Sequence, residues 1–116
     1  MNLQDPWDLE SSTPNAVTRP LLEVDIEGPC KTHARNQGDY VRKFKSPANR
    51  SAPDDLFITN GWVWFVEFKR PGGTLTDKQE DEHDRIKLAG GEVYMYDNVD
   101  AFKKKRREIA QRPPRC

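Results

Sequence analysis

The sequence predicts an α+β fold in which helices pack on a mixed β-sheet, in the order α-β-β-β-α-β-α. Three observations carry this prediction. Residues 56–59 and 62–68 are β-branched and aromatic runs joined by Asn60-Gly61, the strongest short-range signal for a β-hairpin. The second run is apolar on both faces for most of its length, which is typical of a central strand covered by helices on both sides. A capping-box pattern at residues 76–79 then indicates a helix start after the hairpin.

The first element is a helix. The sequence predicts that it begins near Thr18, with Thr18 as the N-cap and Pro20 in the first turn. Its apolar stripe, spaced four residues apart, consists of Leu22, Ile26, Cys30 and Ala34. Because proline removes a backbone hydrogen bond, we expect Gly28-Pro29 to kink or restart the helix, and Gly38 to end it.

The strands and turns around the hairpin follow from local patterns. Residues 40–45 alternate as a first strand, and the Ser, Pro, Asn and Arg content of residues 46–52 indicates a loop. Pro71-Gly72-Gly73 ends the second hairpin strand with a turn.

A helix, a strand and a last helix complete the chain. The capping-box helix begins after Thr76 and ends at Gly90-Gly91. Its inward face, which carries Gln79, His83 and Ile86, is mostly polar, and we expect His83 to pack under the strand. The elements that follow are a strand and a helix, at residues 92–96 and 97–111.

Length and composition indicate one small domain. The 116 residues are 34% hydrophobic and 33% charged, which allows a single core and no more. We expect an N-terminal arm at residues 1–19, a domain at residues 20–111 and a frayed tail at residues 112–116. In the arm, Trp7 and Leu9 form either a docking motif for a partner or a segment that folds back on the domain.

The formal net charge is zero, but the charges are unevenly distributed. Residues 1–27 contain six acidic residues and one Arg, whereas residues 103–115 contain seven basic residues and one Glu. Such a chain can offer a basic surface to an anionic polymer. Cys30 and Cys116 form neither a disulfide framework nor a metal-binding spacing, and no apolar run approaches the roughly 18 residues of a membrane span. We therefore expect a soluble cytoplasmic protein.

Three ionisable side chains are expected at one end of the hairpin. Glu67 and Lys69 project from the same face, roughly 6.5 to 7 Å apart along the strand. A hairpin symmetric about Asn60-Gly61 pairs positions whose numbers sum to about 121, which sets Asp54 opposite Glu67. Two adjacent carboxylates need a compensating cation, and a ligand set made only of oxygens favours Mg²⁺ or Mn²⁺. The alternative is a strand-end salt bridge of Glu67 with Lys69 or Lys43, with Asp54 as a simple turn residue.

These residues resemble the signature of the VRR-Nuc branch of the PD-(D/E)XK nuclease superfamily. That signature is an acidic residue on the first helix, Pro-Asp before one strand, Glu-x-Lys on the next and Gln on the following helix. The matching residues are Glu27, Pro53-Asp54, Glu67-Phe68-Lys69 and Gln79, and the match covers residues 22–97. The sequence departs from the family pattern in two places, at Ser51 in place of the usual Gly and at Gly28-Pro29 directly after Glu27.

The resemblance implies a restriction-endonuclease-like core, a mixed sheet flanked by helices, and a role for each matching residue. Lys69 would orient or deprotonate the attacking water and stabilise the phosphate. Gln79 would hold Lys69 or a phosphate in place, or would only cap its own helix. The implied metal ligands are Asp54, Glu67, the carbonyl of Phe68 and, directly or through water, Glu27.

The implied function is that of a Mg²⁺- or Mn²⁺-dependent endonuclease. It would cleave branched DNA, such as a Holliday junction, in replication, repair or recombination, and paired cuts on a symmetric substrate predict a homodimer. The alternatives are a non-catalytic DNA-binding accessory that keeps the fold and, for the last helix, a merely solvated basic face. The residues expected to contact the DNA backbone are Lys43, Lys45, Arg50, Lys103, Lys104, Lys105, Arg106 and Arg107.

Overall fold

The computed structural model describes residues 19–115, and the arm with Trp7 and Leu9, the predicted cap Thr18 and Cys116 lie outside them. The described part has the predicted element order. Its helices and strands are α1 (Glu23–Asn36), β1 (Tyr40–Lys43), β2 (Asp55–Thr59), β3 (Trp62–Phe68), α2 (Asp77–Leu88), β4 (Val93–Tyr96) and α3 (Val99–Ala110). The strands form one mixed sheet in the order β1-β2-β3-β4, antiparallel except for the parallel β3–β4 pair.

The hairpin between β2 and β3 has the predicted register. Asn60 and Gly61 have φ angles of 52° and 85°, and this left-handed conformation at both central residues is typical of a tight hairpin turn. The ladder runs from the pair Thr59–Trp62 to the pair Asp55–Val66. The next position along each strand places Asp54 opposite Glu67, as predicted.

The two faces of β3 have different partners, because side chains alternate along a strand. One face carries Trp64, Val66 and Phe68, which are buried against α1 and α3. The Phe102 ring from α3 stacks on Trp64, with ring centroids 5.5 Å apart. The other face carries Glu67 and faces α2. The sheet is therefore covered on both sides around a central β3, which confirms the predicted fold class.

Helix α1 begins later than predicted. It begins at Glu23 rather than near Thr18, and its first turn is capped by an aspartate three residues after Leu22. The Asp25 carboxylate accepts a hydrogen bond from the Leu22 N–H at 2.8 Å and pairs with Arg19 at 2.7 Å. This side chain satisfies a free backbone donor at the helix start.

The predicted break in α1 does not occur, because the helix continues through Gly28 and Pro29. Apolar residues on both sides of the proline are buried in one core, and we infer that this packing outweighs the lost backbone hydrogen bond. They are Ile26, Cys30 and Ala34. The predicted end of the helix is confirmed, since Gly38 has a φ of 95° and donates its N–H to the Arg35 carbonyl at 2.9 Å.

Helices α2 and α3 are short and capped by side chains. Thr76 accepts a hydrogen bond from the Gln79 N–H at 3.2 Å, and Asn98 accepts one from the Ala101 N–H at 2.8 Å. His83 is buried on the inward face of α2, as predicted. Within residues 19–115, no helix has both the length and the apolar character needed to cross a membrane.

Residues 112–115, predicted as part of a frayed tail, make polar contacts with the tip of the hairpin and with Glu92. The Trp62 indole N–H donates to the Pro113 carbonyl at 2.9 Å, and the Arg115 N–H donates to the Asn60 carbonyl at 3.1 Å. Arg112 forms a bidentate ion pair with Glu92, at 2.6 and 3.0 Å, and stacks on the Trp62 ring. The tail thus packs on the tip of the hairpin, because polar contacts outside the helix hold it there.

Candidate active site

Two buried carboxylates form the centre of the site, at the end of the hairpin away from its turn. Asp54 is 6% exposed and Glu67 is fully buried. The Phe68 N–H donates to Oδ2 of Asp54 at 2.7 Å, which fixes this carboxylate over β3. The Asp54 carbonyl accepts from the N–H groups of Phe44 and Lys45 at 2.7 and 3.2 Å. These last two bonds end β1 at Lys43, earlier than the predicted residue 45.

A lysine ammonium lies between the two carboxylates. Nζ of Lys45 is 3.0 Å from Oε2 of Glu67 and 3.3 Å from Oδ1 of Asp54. Burial, followed by the neighbouring Asp54, raises the pKa of Glu67 to about 7. Oε1 of Glu67 is buried and has no hydrogen-bond partner among the described residues. The sequence predicted Lys45 only as a DNA contact, because nothing in the local pattern indicated that a loop lysine would turn inward.

Gln79 joins Glu67 of β3 to Lys69, the residue that directly follows this strand. The Lys69 ammonium donates to Oε1 of Gln79 at 2.8 Å, and Nε2 of Gln79 donates to Oε2 of Glu67 at 3.2 Å. The same Oε1 accepts the Thr76 N–H at 3.0 Å, which completes the capping box. The two predicted roles of Gln79 therefore occur together, and the helix cap positions the side chain that orients Lys69.

Glu27 lies apart from this group. Its Oε2 is 3.2 Å from Nζ of Lys43 and 3.6 Å from Nζ of Lys31. Lys31 also lies 3.0 Å from Oδ1 of Asp55, which is fully buried. Burial, followed by Glu27, raises the pKa of Asp55 to about 7. Among the described residues no three acidic, His or Cys side chains form a metal-binding group, and the role of Glu27 in the acidic set, directly or through water, stays a prediction.

The separation of the two acidic groups has a simple cause. Successive residues of a strand point to opposite faces, so Asp54 turns to the α2 face and Asp55 to the α1 face. Glu27 arrives on α1 and meets Asp55 rather than Asp54. The sequence analysis missed Asp55 and Lys31, although a second aspartate at a strand start and the four-residue spacing of Glu27 and Lys31 were both visible.

No protein-family model matches this sequence. The chain is 37% identical over 83 residues to a protein named "Putative nuclease p44" from Acyrthosiphon pisum secondary endosymbiont phage 1, a match covering 71% of this chain and 89% of that relative. It is also similar to a solved structure named "VRR_NUC domain", with a TM-score of 0.65 and 27% identity, over 78% of this chain and 97% of that one. The chain belongs to the VRR-Nuc family. Its mixed sheet and element order match the VRR-Nuc fold.

The residues of this VRR-Nuc site fit a divalent cation. Asp54 and Glu67 are two carboxylates of separate strands that already share one positive charge, the Lys45 ammonium. Oε1 of Glu67 is a buried acceptor without a hydrogen-bond partner among the described residues. Oxygen donors without His or Cys suit Mg²⁺ or Mn²⁺ rather than zinc. The resemblance to VRR-Nuc proteins also implies the Phe68 carbonyl as a ligand, and this role stays a prediction.

The basic helix of this VRR-Nuc domain does not present all of its predicted DNA contacts to solvent. Arg106 is 8% exposed and forms two hydrogen bonds of 2.9 Å to Asp39, so its prediction as a DNA contact is wrong. Arg106 is spaced along α3 so that it lies on the same buried face as Phe102 and Ile109. This spacing is visible in the sequence. Lys105 pairs with Glu108 at 3.1 Å. The three basic side chains of α3 without an ion pair among the described residues are Lys103, Lys104 and Arg107.

Proposed function

We propose that this protein is a metal-dependent endonuclease that hydrolyses DNA phosphodiester bonds. One observation carries the proposal, the meeting of Asp54, Glu67 and Lys69 at one end of the hairpin. A protein that only bound DNA would gain nothing from buried carboxylates facing a phosphate, because the two charges repel. The names of the similar proteins, a nuclease of a phage and a VRR_NUC domain, support the same activity.

Asp54 and Glu67 would hold the Mg²⁺ or Mn²⁺ ion, with the Phe68 carbonyl as a further ligand. When bound, the metal supplies Lewis acidity toward the scissile phosphate and the attacking water. The Phe68 N–H also holds Asp54 in place. Phe68 would therefore contribute its N–H to Asp54 and its carbonyl to the metal. Glu27, which pairs with Lys43 on the α1 face, would complete the acidic set directly or through metal-bound water.

Lys69 provides the second positive charge of the reaction. Its ammonium is buried and held by Gln79, which leaves its remaining hydrogens for water or a phosphate oxygen. From this position Lys69 orients the attacking water and stabilises the negative charge that develops on the phosphate. Gln79 positions the lysine and is itself fixed by Thr76.

The DNA surface combines basic residues near the site with those on α3. Lys43 and Arg50 are exposed beside the hairpin, and Lys104 and Arg107 are exposed on α3, next to the half-buried Lys103. The substrate proposed for these two groups of basic residues is branched DNA, such as a Holliday junction. Paired cuts on a symmetric junction require a two-fold homodimer.

The test is incubation of the purified protein with labelled four-way junctions, flaps and duplex DNA in Mg²⁺, Mn²⁺ or EDTA. We expect metal-dependent cleavage of the branched substrates and none by the Lys69→Ala variant. Lys87→Ala, an exposed change on the same helix as Gln79, is the matched control for loss of a lysine. Absence of cleavage with either metal would show that the enzymatic proposal is wrong, and DNA binding without cleavage would favour the accessory role. Light scattering of the free protein tests the dimer separately.

A further inference from the structure

Lys45 occupies the place between the carboxylates where a metal ion is expected. Its ammonium contacts one oxygen of each, Oε2 of Glu67 at 3.0 Å and Oδ1 of Asp54 at 3.3 Å. The contact to Glu67 is also a well-formed hydrogen bond. The site thus contains its own counter-cation, supplied by a residue outside the Pro-Asp, Glu-x-Lys and Gln signature.

A divalent ion and this ammonium cannot both hold the same oxygens. Mg²⁺ binds oxygen ligands at about 2.0 to 2.1 Å, so an ion shared by Asp54 and Glu67 would lie within a few ångströms of Nζ of Lys45. Two cations at that distance repel each other strongly in a buried site. The ammonium also occupies one oxygen of each carboxylate, Oε2 of Glu67 and Oδ1 of Asp54. Binding of one therefore requires the other to leave.

Lys45 can leave without a change in the fold. Its backbone N–H is fixed to the Asp54 carbonyl at 3.2 Å, and the ring of the preceding Phe44 packs on Phe65 with centroids 4.9 Å apart. Only the flexible four-carbon side chain has to move. That side chain is 24% exposed, so solvent lies beside it.

We propose that Lys45 is an exchangeable internal cation, which pairs with Asp54 and Glu67 in the metal-free protein and competes with the divalent ion for them. This inference rests on the proposed function, since it presumes that the pair binds a metal. Competition from Lys45 lowers the affinity of the site for the metal. When the metal binds, the Lys45 ammonium moves from the carboxylates toward the solvent beside the site. There it becomes available to a DNA phosphate, so that metal loading and substrate contact are coupled.

The first test measures Mg²⁺ and Mn²⁺ binding by titration calorimetry, without DNA. Lys45→Met should bind the metal about tenfold more tightly than the wild type, within the range of ordinary coupling between two sites. Lys45→Arg keeps the positive charge and should stay weak. Lys87→Met removes the same charge from an exposed position at the end of α2 and should bind like the wild type. Wild-type affinity or weaker binding in Lys45→Met would overturn the inference.

The second test uses the wild-type chain and so does not depend on a variant that folds. Limited lysine acetylation followed by mass spectrometry compares Lys45 in EDTA and in saturating Mg²⁺, with Lys87 as the internal reference. We expect Lys45 to become several-fold more reactive with the metal, because its ammonium leaves the carboxylates. Equal protection of Lys45 in both conditions would refute the exchange.

The outcomes separate this inference from the proposed function. Mg²⁺-dependent DNA cleavage together with unchanged metal affinity in Lys45→Met rejects the exchange and leaves the nuclease intact. Metal binding by Lys45→Met but not by the wild type supports the exchange. If neither protein binds Mg²⁺ or Mn²⁺, the metal site fails and the exchange fails with it.

Discussion

Replacement of Glu67 by Gln tests the electrostatics of the site through stability alone. Glu67 is fully buried, and its pKa of about 7 lies above the ordinary value of 4.5. Between about pH 4.5 and about pH 7, Glu67 therefore keeps a proton in the native state that it has released in the unfolded chain. A raised carboxyl pKa contributes stability below about pH 4.5, and that contribution is lost as the pH rises through about 7. The loss corresponds to roughly 3 kcal/mol at about 1.4 kcal/mol for each pKa unit.

The glutamine in the Glu67→Gln variant cannot ionise, so the variant does not lose this stability as the pH rises. In EDTA, we expect the unfolding free energy of Glu67→Gln, relative to the wild type, to rise by roughly 3 kcal/mol between about pH 4.5 and about pH 8. Asp55 also has a raised pKa, but it titrates in both proteins and cancels in the comparison. Urea unfolding followed by tryptophan fluorescence gives the free energies.

Two further measurements make this prediction decisive. Glu108→Gln removes a half-exposed carboxylate from α3 and should show no such pH dependence. Added Mg²⁺ at alkaline pH should stabilise the wild type and leave Glu67→Gln unchanged, because a ligand stabilises only the state that binds it. A stability difference between Glu67→Gln and wild type that stays constant over the whole pH range would refute the reasoning.

Three other predictions concern the framework around the site. Arg106→Met removes the cation paired with the buried Asp39 carboxylate, which keeps the hydrogen bond from the Thr59 hydroxyl, and should lower the unfolding free energy by about 3 to 5 kcal/mol, whereas Lys104→Met on the same helix should not. Thr76→Ala removes the cap of α2 and should cost about 1 kcal/mol by urea unfolding, with a further loss of cleavage because Gln79 loses its support. Truncation after residue 111 uncovers Trp62 and should shift its fluorescence to longer wavelength; an unchanged spectrum in the truncated protein would show that the tail does not cover this indole.

Much of the fold was predictable because short-range sterics and hydrogen bonds determine it. Asn60 and Gly61 adopt the left-handed conformation that a two-residue hairpin turn requires. This turn sets the register of β2 and β3. The capping box at Thr76 formed as its local spacing indicated. The opposition of Asp54 and Glu67 follows from this register. The carboxylate pair could therefore be predicted from the sequence.

Other features required contacts between distant parts of the chain. Lys45 reaches Glu67 across 22 positions, and Arg106 reaches Asp39 across 67. A basic residue in a loop or a helix gives no local sign of whether it will face DNA or a buried carboxylate. The packing of the tail also depends on residues outside it, Asn60, Trp62 and Glu92.

The sequence by itself determined the sheet, the hairpin register and the residues Asp54, Glu67, Lys69 and Gln79 as one site. Backbone conformation and strand alternation act over a few residues, so their consequences can be followed along the chain. Only the tertiary structure decided that Glu27 joins Asp55 on the other face and that Lys45 lies between the two carboxylates. Those pairings depend on how α1 and the loop before β2 pack against the sheet. That packing is a balance of burial and charge over the whole domain.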